Sequence, residues 1–397
     1  MVCPICHSDS VGVLETRCAD PAQSALVSLE SGPSLTAERH RSVGVSLTRA
    51  RVSSDRPGRG PITTLPFGIA TPRRRGASTR LHSTHRSMNT VVTFTPNPAL
   101  DATTTVDRVI AERKLRCGAP RFDPGGGGIN VARVIHRLGG DATSVFLGGG
   151  PTGELLHQLL DGAGVANRMV RCEQWTRENV TVLEESSGRQ FRFCMPGAEV
   201  TCEEWHSALE LLGQWEPTPR FVVASGSLPP GVPPDGFAQV ARAVNERGSK
   251  LVLDTSGSAL VCGVTAGVFL VKPNLRELAE LAGVKLADEE HVKAAARSIV
   301  ERGWSEVVVV SLGAGGALVL TKEQCERIIA PIVPVRSRVG AGDSMVAGIV
   351  LALVRDWPLA EAVRFGVATG AAAVMQPGTE LCHREDVERL FHGSTTN

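Results

Sequence analysis

From Val91 onward the chain alternates short β-branched runs with longer stretches of helical periodicity, and nothing else in the sequence restricts its fold as much. Strands are expected at Val91–Thr95, Thr143–Leu147, Phe221–Ser225, Leu251–Asp254, Val268–Val271, Val307–Ser311 and Ala317–Thr321. Helices are expected between them, at Ile129–Leu138, Gly153–Asp161, Thr201–Gln214, Pro234–Arg247, Asn274–Ala282, Asp288–Arg302, Ala341–Arg355 and Leu359–Met375. Parallel strands need crossover connections that pack on the faces of the sheet. The pattern therefore predicts an α/β fold, a mostly parallel sheet with helices on both faces. Two stretches break the rhythm: Thr103–Phe122 and Val180–Cys194 read as strands without a helix between, the second turning at Ser186-Ser187-Gly188. They predict a small antiparallel β lid over the strand carboxyl ends, where open α/β sheets bind ligands.

Residues 1–88 differ in kind. Ser, Thr, Pro, Gly and Arg dominate them, and twelve Arg stand against six acidic residues, whereas the chain as a whole carries +1. Apolar stretches are brief, so residues 1–88 are expected to be a largely disordered extension and 89–397 the folded domain. Near-neutrality gives no global reason for a nucleic-acid partner, and no apolar run approaches the ~18 residues of a spanning helix, so no membrane partner is expected. Ten cysteines scattered without short, even spacing suit a reducing, cytoplasmic setting. Cys3 and Cys6 have the spacing with which two thiolates hold one zinc ion, but a closed site takes four ligands, and Cys18 and His40 lie at no recognised second-half spacing.

Four glycine-rich or capping motifs carry chemistry. Gly148-Gly149-Gly150-Pro151-Thr152-Gly153 matches Gly-x-Gly-x-x-Gly, with Glu173 twenty residues beyond it, and keeps a nicotinamide-dependent oxidoreductase open. Against that reading, Pro151 sits inside the turn and the unit is not the first of the sheet. The P-loop pattern is absent, which excludes that class of nucleotide site. Pro124-Gly125-Gly126-Gly127-Gly128-Ile129-Asn130 leads into a helix and exposes backbone N–H groups to a hydroxyl-rich or anionic ligand, or serves as a hinge. In Lys272-Pro273-Asn274-Leu275-Arg276-Glu277, Asn and Glu three apart can hold a hydrated Mg²⁺ beside a phosphate or form a capping box. Gly340-Ala341-Gly342-Asp343-Ser344 opens a helix apolar all round, which must be buried, so its dipole and free N–H groups suit charge on a transferring phosphoryl group.

Glycine run, Asn-x-x-Glu and Gly-Ala-Gly-Asp, in this order, resemble the ribokinase-type sugar kinases, also called the B-type phosphofructokinase family. Thr95-Pro96-Asn97-Pro98-Ala99-Leu100-Asp101, Lys114-Leu115-Arg116-Cys117, Trp175-Thr176-Arg177-Glu178-Asn179 and Ser225-Gly226-Ser227-Leu228-Pro229-Pro230-Gly231 are similar to its 6-phosphofructokinase branch, as is Gly127, where many relatives acting on other sugar phosphates carry Lys. The resemblance implies a ribokinase-like fold and ATP-dependent phosphorylation of fructose 6-phosphate at its C1 hydroxyl, or of tagatose 6-phosphate or fructose 1-phosphate. By position it makes Asp343 the general base and Gly340, Ala341 and Gly342 the anion hole. It places Asp101, Gly126, Gly127 and Asn130 on sugar hydroxyls, and Lys114, Arg116 and Arg177 on the sugar phosphate. Lys272, Ser311 and Gly313 fall on the nucleotide side, Asn274 and Glu277 organise Mg²⁺, and a homodimer is implied.

Every one of these residues lies beyond Met88. Ordering a chain costs ~1–2 kcal/mol of backbone entropy per residue, more than the sparse apolar content of the extension can offset. Deleting residues 1–87 is therefore expected to leave the thermal transition and phosphotransfer intact. A truncated protein that is insoluble or inactive under matched conditions would place the extension inside the fold.

Overall fold

The computed structural model describes residues 91–393; the readings made for the extension, including Cys3 and Cys6, lie outside the described residues. Strand β1 (Val91–Thr95) is buried along its whole length, as a strand covered on both sheet faces must be. The chain then runs through β2 (Ala99–Val106), β3 (Arg121–Gly125), α1 (Gly127–Arg137), β4 (Ala142–Gly148), α2 (Gly150–Gly162), β5 (Asn167–Arg171), β6 (Arg177–Glu184), β7 (Gln190–Cys194) and α3 (Cys202–Gly213). The second half contains β8 (Phe221–Ser225), α4 (Gly236–Asn245), β9 (Lys250–Asp254), α5 (Gly257–Val264), β10 (Val268–Val271), α6 (Leu275–Ala282), α7 (Glu289–Glu301) and β11 (Ser305–Ser311). It ends with β12 (Ala317–Leu320), β13 (Cys325–Ile328), α8 (Ala341–Val354), α9 (Leu359–Val374) and α10 (Arg384–Gly393).

Nine strands form one sheet in the order β13-β12-β11-β10-β9-β8-β1-β4-β5. Pairs from β11 across to β5 are parallel, and only β12 and β13 add an antiparallel edge. Chain order runs outward from the centre in both directions, so the topological switch falls between β1 and β8. Connections leaving these neighbours diverge there and open a crevice at their carboxyl ends. Alternation along each strand divides the core. Val223, Val252 and Val309 pack with α1, α8 and α9 on one face, and Val222, Leu251, Leu253 and Val308 pack with α4 and α7 on the other.

The second sheet, β3-β2-β6-β7, corrects the expected lid in two ways. Strands β2 and β6 pair in parallel over eight residues, and only the outer pairs are antiparallel. The reason is topological: β2 follows β1 and β6 follows β5, two parallel core strands, so both leave the main sheet in the same direction. The strand expected over Thr103–Phe122 is also interrupted, because residues 107–120 form neither strand nor helix. Helices α5 and α10 and strands β5 and β13 were not anticipated. The first is only eight residues long, and the two strands lie at the sheet edges, β13 with three of its four residues exposed, so neither shows a full apolar alternation.

Helix α8 is buried without a break from Ser344 to Leu353, as its all-round apolarity requires. It packs so closely on α9 that a Cβ at Gly366 would sit 2.7 Å from the Met345 carbonyl oxygen. That neighbour is backbone and cannot rotate away. Gly366→Ala is thus expected to destabilise the fold by ~1–3 kcal/mol, the usual scale of overpacking, read as a lowered melting temperature. An unchanged transition would mean that α9 slides freely on α8.

Candidate active site

The glycine run docks the start of α1 into the switch crevice. Gly126 sits at φ 124, a conformation that a side chain would strain, and a Cβ on Gly125 would collide with the Asp101 carboxylate. The Thr95 hydroxyl, at the end of β1, accepts from the Ile129 N–H at 2.8 Å, and the Ser225 hydroxyl, at the end of β8, fills the space beside Gly127. The run thus brings helix and strand ends together and carries Asn130 to the centre.

There, Asn130 Nδ2 donates to Asp343 Oδ2 at 2.9 Å. Asp343 stands in the first turn of α8, whose N-cap Gly340 is left-handed at φ 72 and whose leading N–H groups receive no side-chain cap. Those donors and the positive end of the helix dipole face the crevice. Burial, and then the charge of Asp254, push the Asp343 carboxyl up to about 6, against the opposing pull of Asn130 and Lys272. Lys272 Nζ lies 3.4 Å from the place a Cβ on Gly342 would take, which sets the ammonium over the start of α8. Both members of its 3.1 Å ion pair with Asp254 are largely buried. Burial alone would lower the Lys272 pKa, but Asp254, aided by Glu277 and Asp343, holds it above its ordinary value. The ammonium stays charged.

On the far side of Lys272 the structure forms the capping box: Asn274 Oδ1 accepts from the Glu277 N–H at 3.0 Å, and Glu277 Oε2 from the Asn274 N–H at 2.9 Å. An isolated parallel bridge joins Asn274 to Ser311, and Gly313 follows in a left-handed turn, so these candidates share one rim. On the lid, Asp101 Oδ1 accepts from Asn179 Nδ2 at 2.8 Å, and burial raises the Asp101 pKa. Arg177 spends three nitrogens on carbonyls, donating to Pro98 (3.3 Å), Met195 (3.1 Å) and Asn97 (3.0 Å), so it braces the loop around Asp101. Lys114 and Arg116 are exposed on the 107–120 segment and bond to none of the other candidates.

The turn at Gly148 is filled by its own chain. Thr176 Oγ1 accepts from the Gly149 N–H at 3.1 Å, and a Cβ on Gly149 would run into the Cys172 and Gln174 carbonyls, so the dinucleotide-like glycines serve packing. The sequence motifs assign no role to Asp254 or Asn179, which the structure places on Lys272 and Asp101. Asp254 did leave a signal, an acid closing the apolar run Leu251-Val252-Leu253 at a parallel strand's carboxyl end.

The raised Asp343 pKa has a stability consequence. In the unfolded chain the carboxyl ionises near 3.8 and in the fold near 6, so the ionised form costs stability in full above pH 6, and the cost vanishes as pH falls below 3.8. Asp343→Asn is expected to raise the melting temperature at pH 8, by up to ~3 kcal/mol of stability, with the gain fading towards pH 4. A variant that melts at or below the wild-type temperature at pH 8 would show that the buried charge is fully compensated.

Comparison with known proteins agrees with this geometry. Residues 95–386 match the pfkB family carbohydrate kinase. The ATP-dependent 6-phosphofructokinase isozyme 2 of Mycobacterium tuberculosis is 48% identical over 301 residues, spanning 76% of this chain and 88% of that protein. The Escherichia coli isozyme 2 is 44% identical over 302 residues, 76% of this chain and 97% of that one. A crystal structure of phosphofructokinase-2 from Escherichia coli in complex with fructose-6-phosphate superposes with a TM-score of 0.73 at 42% identity, covering 78% of this chain and all of that one. With Asp343, Asn130, Lys272 and the open start of α8 gathered at the switch of a ribokinase-like sheet, the chain belongs to the pfkB family of carbohydrate kinases.

Proposed function

We propose that the protein transfers the γ-phosphoryl group of ATP to the C1 hydroxyl of fructose 6-phosphate, giving fructose 1,6-bisphosphate. The observation that carries the proposal is the Asp343 carboxylate, held by Asn130 at the uncapped, half-buried start of α8 beneath the Lys272 ammonium. Phosphoryl transfer asks a protein for positioning, charge neutralisation and one base. Asp343 takes the hydroxyl proton, and with its pKa about 6 it is both ionised and appreciably basic at neutral pH. The N–H groups of Gly340, Ala341 and Gly342 and the Lys272 ammonium stabilise negative charge that grows on the transferring group. Asp101, Gly126, Gly127 and Asn130 orient the sugar, and Lys114 and Arg116 offer positive charge to its phosphate, while Arg177, its nitrogens donated to the Asn97, Pro98 and Met195 carbonyls, acts as a brace rather than a direct phosphate ligand.

Ser311 and Gly313 border the nucleotide. The residues present fit Mg²⁺: it is a hard ion that keeps several waters and uses one or two carboxylates beside substrate phosphates, and Asp254 and Glu277 both interact with Lys272 at this rim. Asn274 and Glu277, already committed to backbone donors through the capping box, would meet the ion through its water shell. When bound, the ion neutralises phosphate charge. The lid leaves Phe122, Phe193 and Met195 exposed, which supports a second copy of the chain as its partner, a homodimer. No helix among the described residues is long and apolar enough to cross a membrane, and a cytoplasmic setting is part of the proposal.

A screen of fructose 6-phosphate, tagatose 6-phosphate and fructose 1-phosphate with Mg-ATP tests the substrate, and the highest kcat/KM is expected for the first. Asp343→Asn is expected to lower kcat by about 10²- to 10⁴-fold with the fold intact. In the wild type, kcat/KM should rise with pH through a group titrating near 6 and level off above it. A variant that retains more than about a tenth of the rate would remove Asp343 from the role of base.

A further inference from the structure

Glu184 is a buried carboxylate, 2% exposed, at the end of β6, and the chemistry above does not use it. Its oxygens take three donors. Oε1 accepts from the Val109 N–H at 2.8 Å, and Oε2 accepts from the Ser187 hydroxyl and from Arg189 Nη2, the latter at 3.2 Å. The β6–β7 turn does not need this carboxylate, because backbone bonds already close it: Glu184 N to Arg189 O at 2.9 Å and Gly188 N to Glu184 O at 2.8 Å. The bond to Val109 instead reaches a segment 75 positions earlier in the chain.

That segment, residues 107–120, is an arch with two feet. At one, Gly118 donates to Thr105 O at 2.9 Å and accepts from Thr104 Oγ1 at 2.8 Å. At the other, Ser186 N donates to Asp107 O at 3.1 Å and Glu184 takes the Val109 N–H. Among the described residues, no side-chain hydrogen bond or ion pair ties residues 110–117 to the rest of the fold, and Lys114 and Arg116 ride on this span. Hydrogen bonds thus hold the span at its two feet, with the half-buried Leu115 between Lys114 and Arg116.

We propose that Glu184 is a positioning residue: clamped by Ser187 and Arg189, it fixes the Val109 foot of the arch and so holds Lys114 and Arg116 at the sugar phosphate. This rests on the reading of those two cations given above. A carboxylate suits the post because it offers acceptor sites to a backbone N–H, a hydroxyl and a guanidinium together. An amide keeps an acceptor for Val109 but turns an NH₂ towards Arg189, which has no acceptor. The Ser187 hydroxyl, then the Val109 N–H, hold the Glu184 carboxyl below its ordinary range, so it is ionised at working pH.

The test is steady-state kinetics, with melting curves, on the full chain carrying Glu184→Ala, Glu184→Gln, Lys114→Ala, Arg116→Ala, the pair Lys114→Ala/Arg116→Ala and the triple change that adds Glu184→Ala to that pair. Glu184→Ala is expected to raise the KM for fructose 6-phosphate about tenfold, the scale of one misplaced charge-assisted contact, while the KM for ATP and kcat stay within about twofold. Glu184→Gln should recover much of the loss, and adding Glu184→Ala to the pair Lys114→Ala/Arg116→Ala should make it little worse. Val109→Pro deletes the single N–H and leaves the lid hairpin untouched, so it should reproduce the selective rise even if Glu184→Ala folds poorly. A melting shift without a change in phosphosugar KM, equal effects on both substrates, or multiplying effects in the triple variant would overturn the proposal. Should Lys114→Ala and Arg116→Ala themselves leave that KM unchanged, the reading of the cations fails, and this inference fails with it.

Discussion

Two largely buried carboxylates, Asp254 and Asp343, share one buried ammonium, Lys272, and the rest of the site is arranged around that imbalance. Lys272 pairs directly with Asp254 at 3.1 Å, which leaves Asp343 with burial and a like charge to raise its pKa. What keeps Asp343 serviceable as an anion is one amide hydrogen bond from Asn130, the attraction of Lys272 and its seat at the positive end of α8. Each support belongs to a different element. Asn130 comes from α1, Lys272 follows β10 and the dipole is that of α8, while the opposing Asp254 ends β9, so the site forms only where the sheet brings two strand ends and two helix starts together.

The parallel sheet makes that convergence inevitable at one place. All of its parallel strands deliver their carboxyl ends to the same edge, and the switch between β1 and β8 leaves the gap into which α1 and α8 point their N-termini. The Gly125–Gly128 run is best understood as the fitting that lets α1 approach: Thr95 and Ser225 lie against it from the two central strands, and the Asp101 carboxylate from the lid. The same motif that the sequence presents as a flexible, N–H-rich loop is thus packed on three sides.

The β-rich core and the Gly-Ala-Gly-Asp helix start were legible because their signals are local. A buried strand is a short β-branched run, and a helix wrapped on all sides is an apolar run opened by glycine. Asn274 and Glu277 were legible only as alternatives, since one spacing serves both a capping box and an ion, and the structure forms the box. Other features depend on partners distant in sequence and left little trace. The carbonyls that occupy Arg177 belong to Asn97, Pro98 and Met195, the parallel pairing of β2 with β6 depends on which core strands precede them, and the post beneath Lys114 and Arg116 is a glutamate some seventy residues later.

The lid shows why that sheet cannot be independent of the core. Asp101 and Asp123 lie directly opposite each other on β2 and β3, a like-charge pair that is unfavourable in an antiparallel ladder. Two arginines offset it. Arg121 pairs with Asp123 at 2.9 Å on the lid itself, while Arg133 comes from α1, 3.7 Å from Asp123 and donating to the Pro124 carbonyl at 2.9 Å. Burial lowers the Arg133 pKa to about 10, with Asp123 opposing that fall, so the guanidinium remains charged. Since Arg133 stands one helical turn from Asn130, the helix that bonds Asp343 also neutralises the neighbour of Asp101. The Asp101 and Asp343 carboxylates are thereby referred to the same helix, and a lid displaced from α1 would lose the charge balance around Asp101.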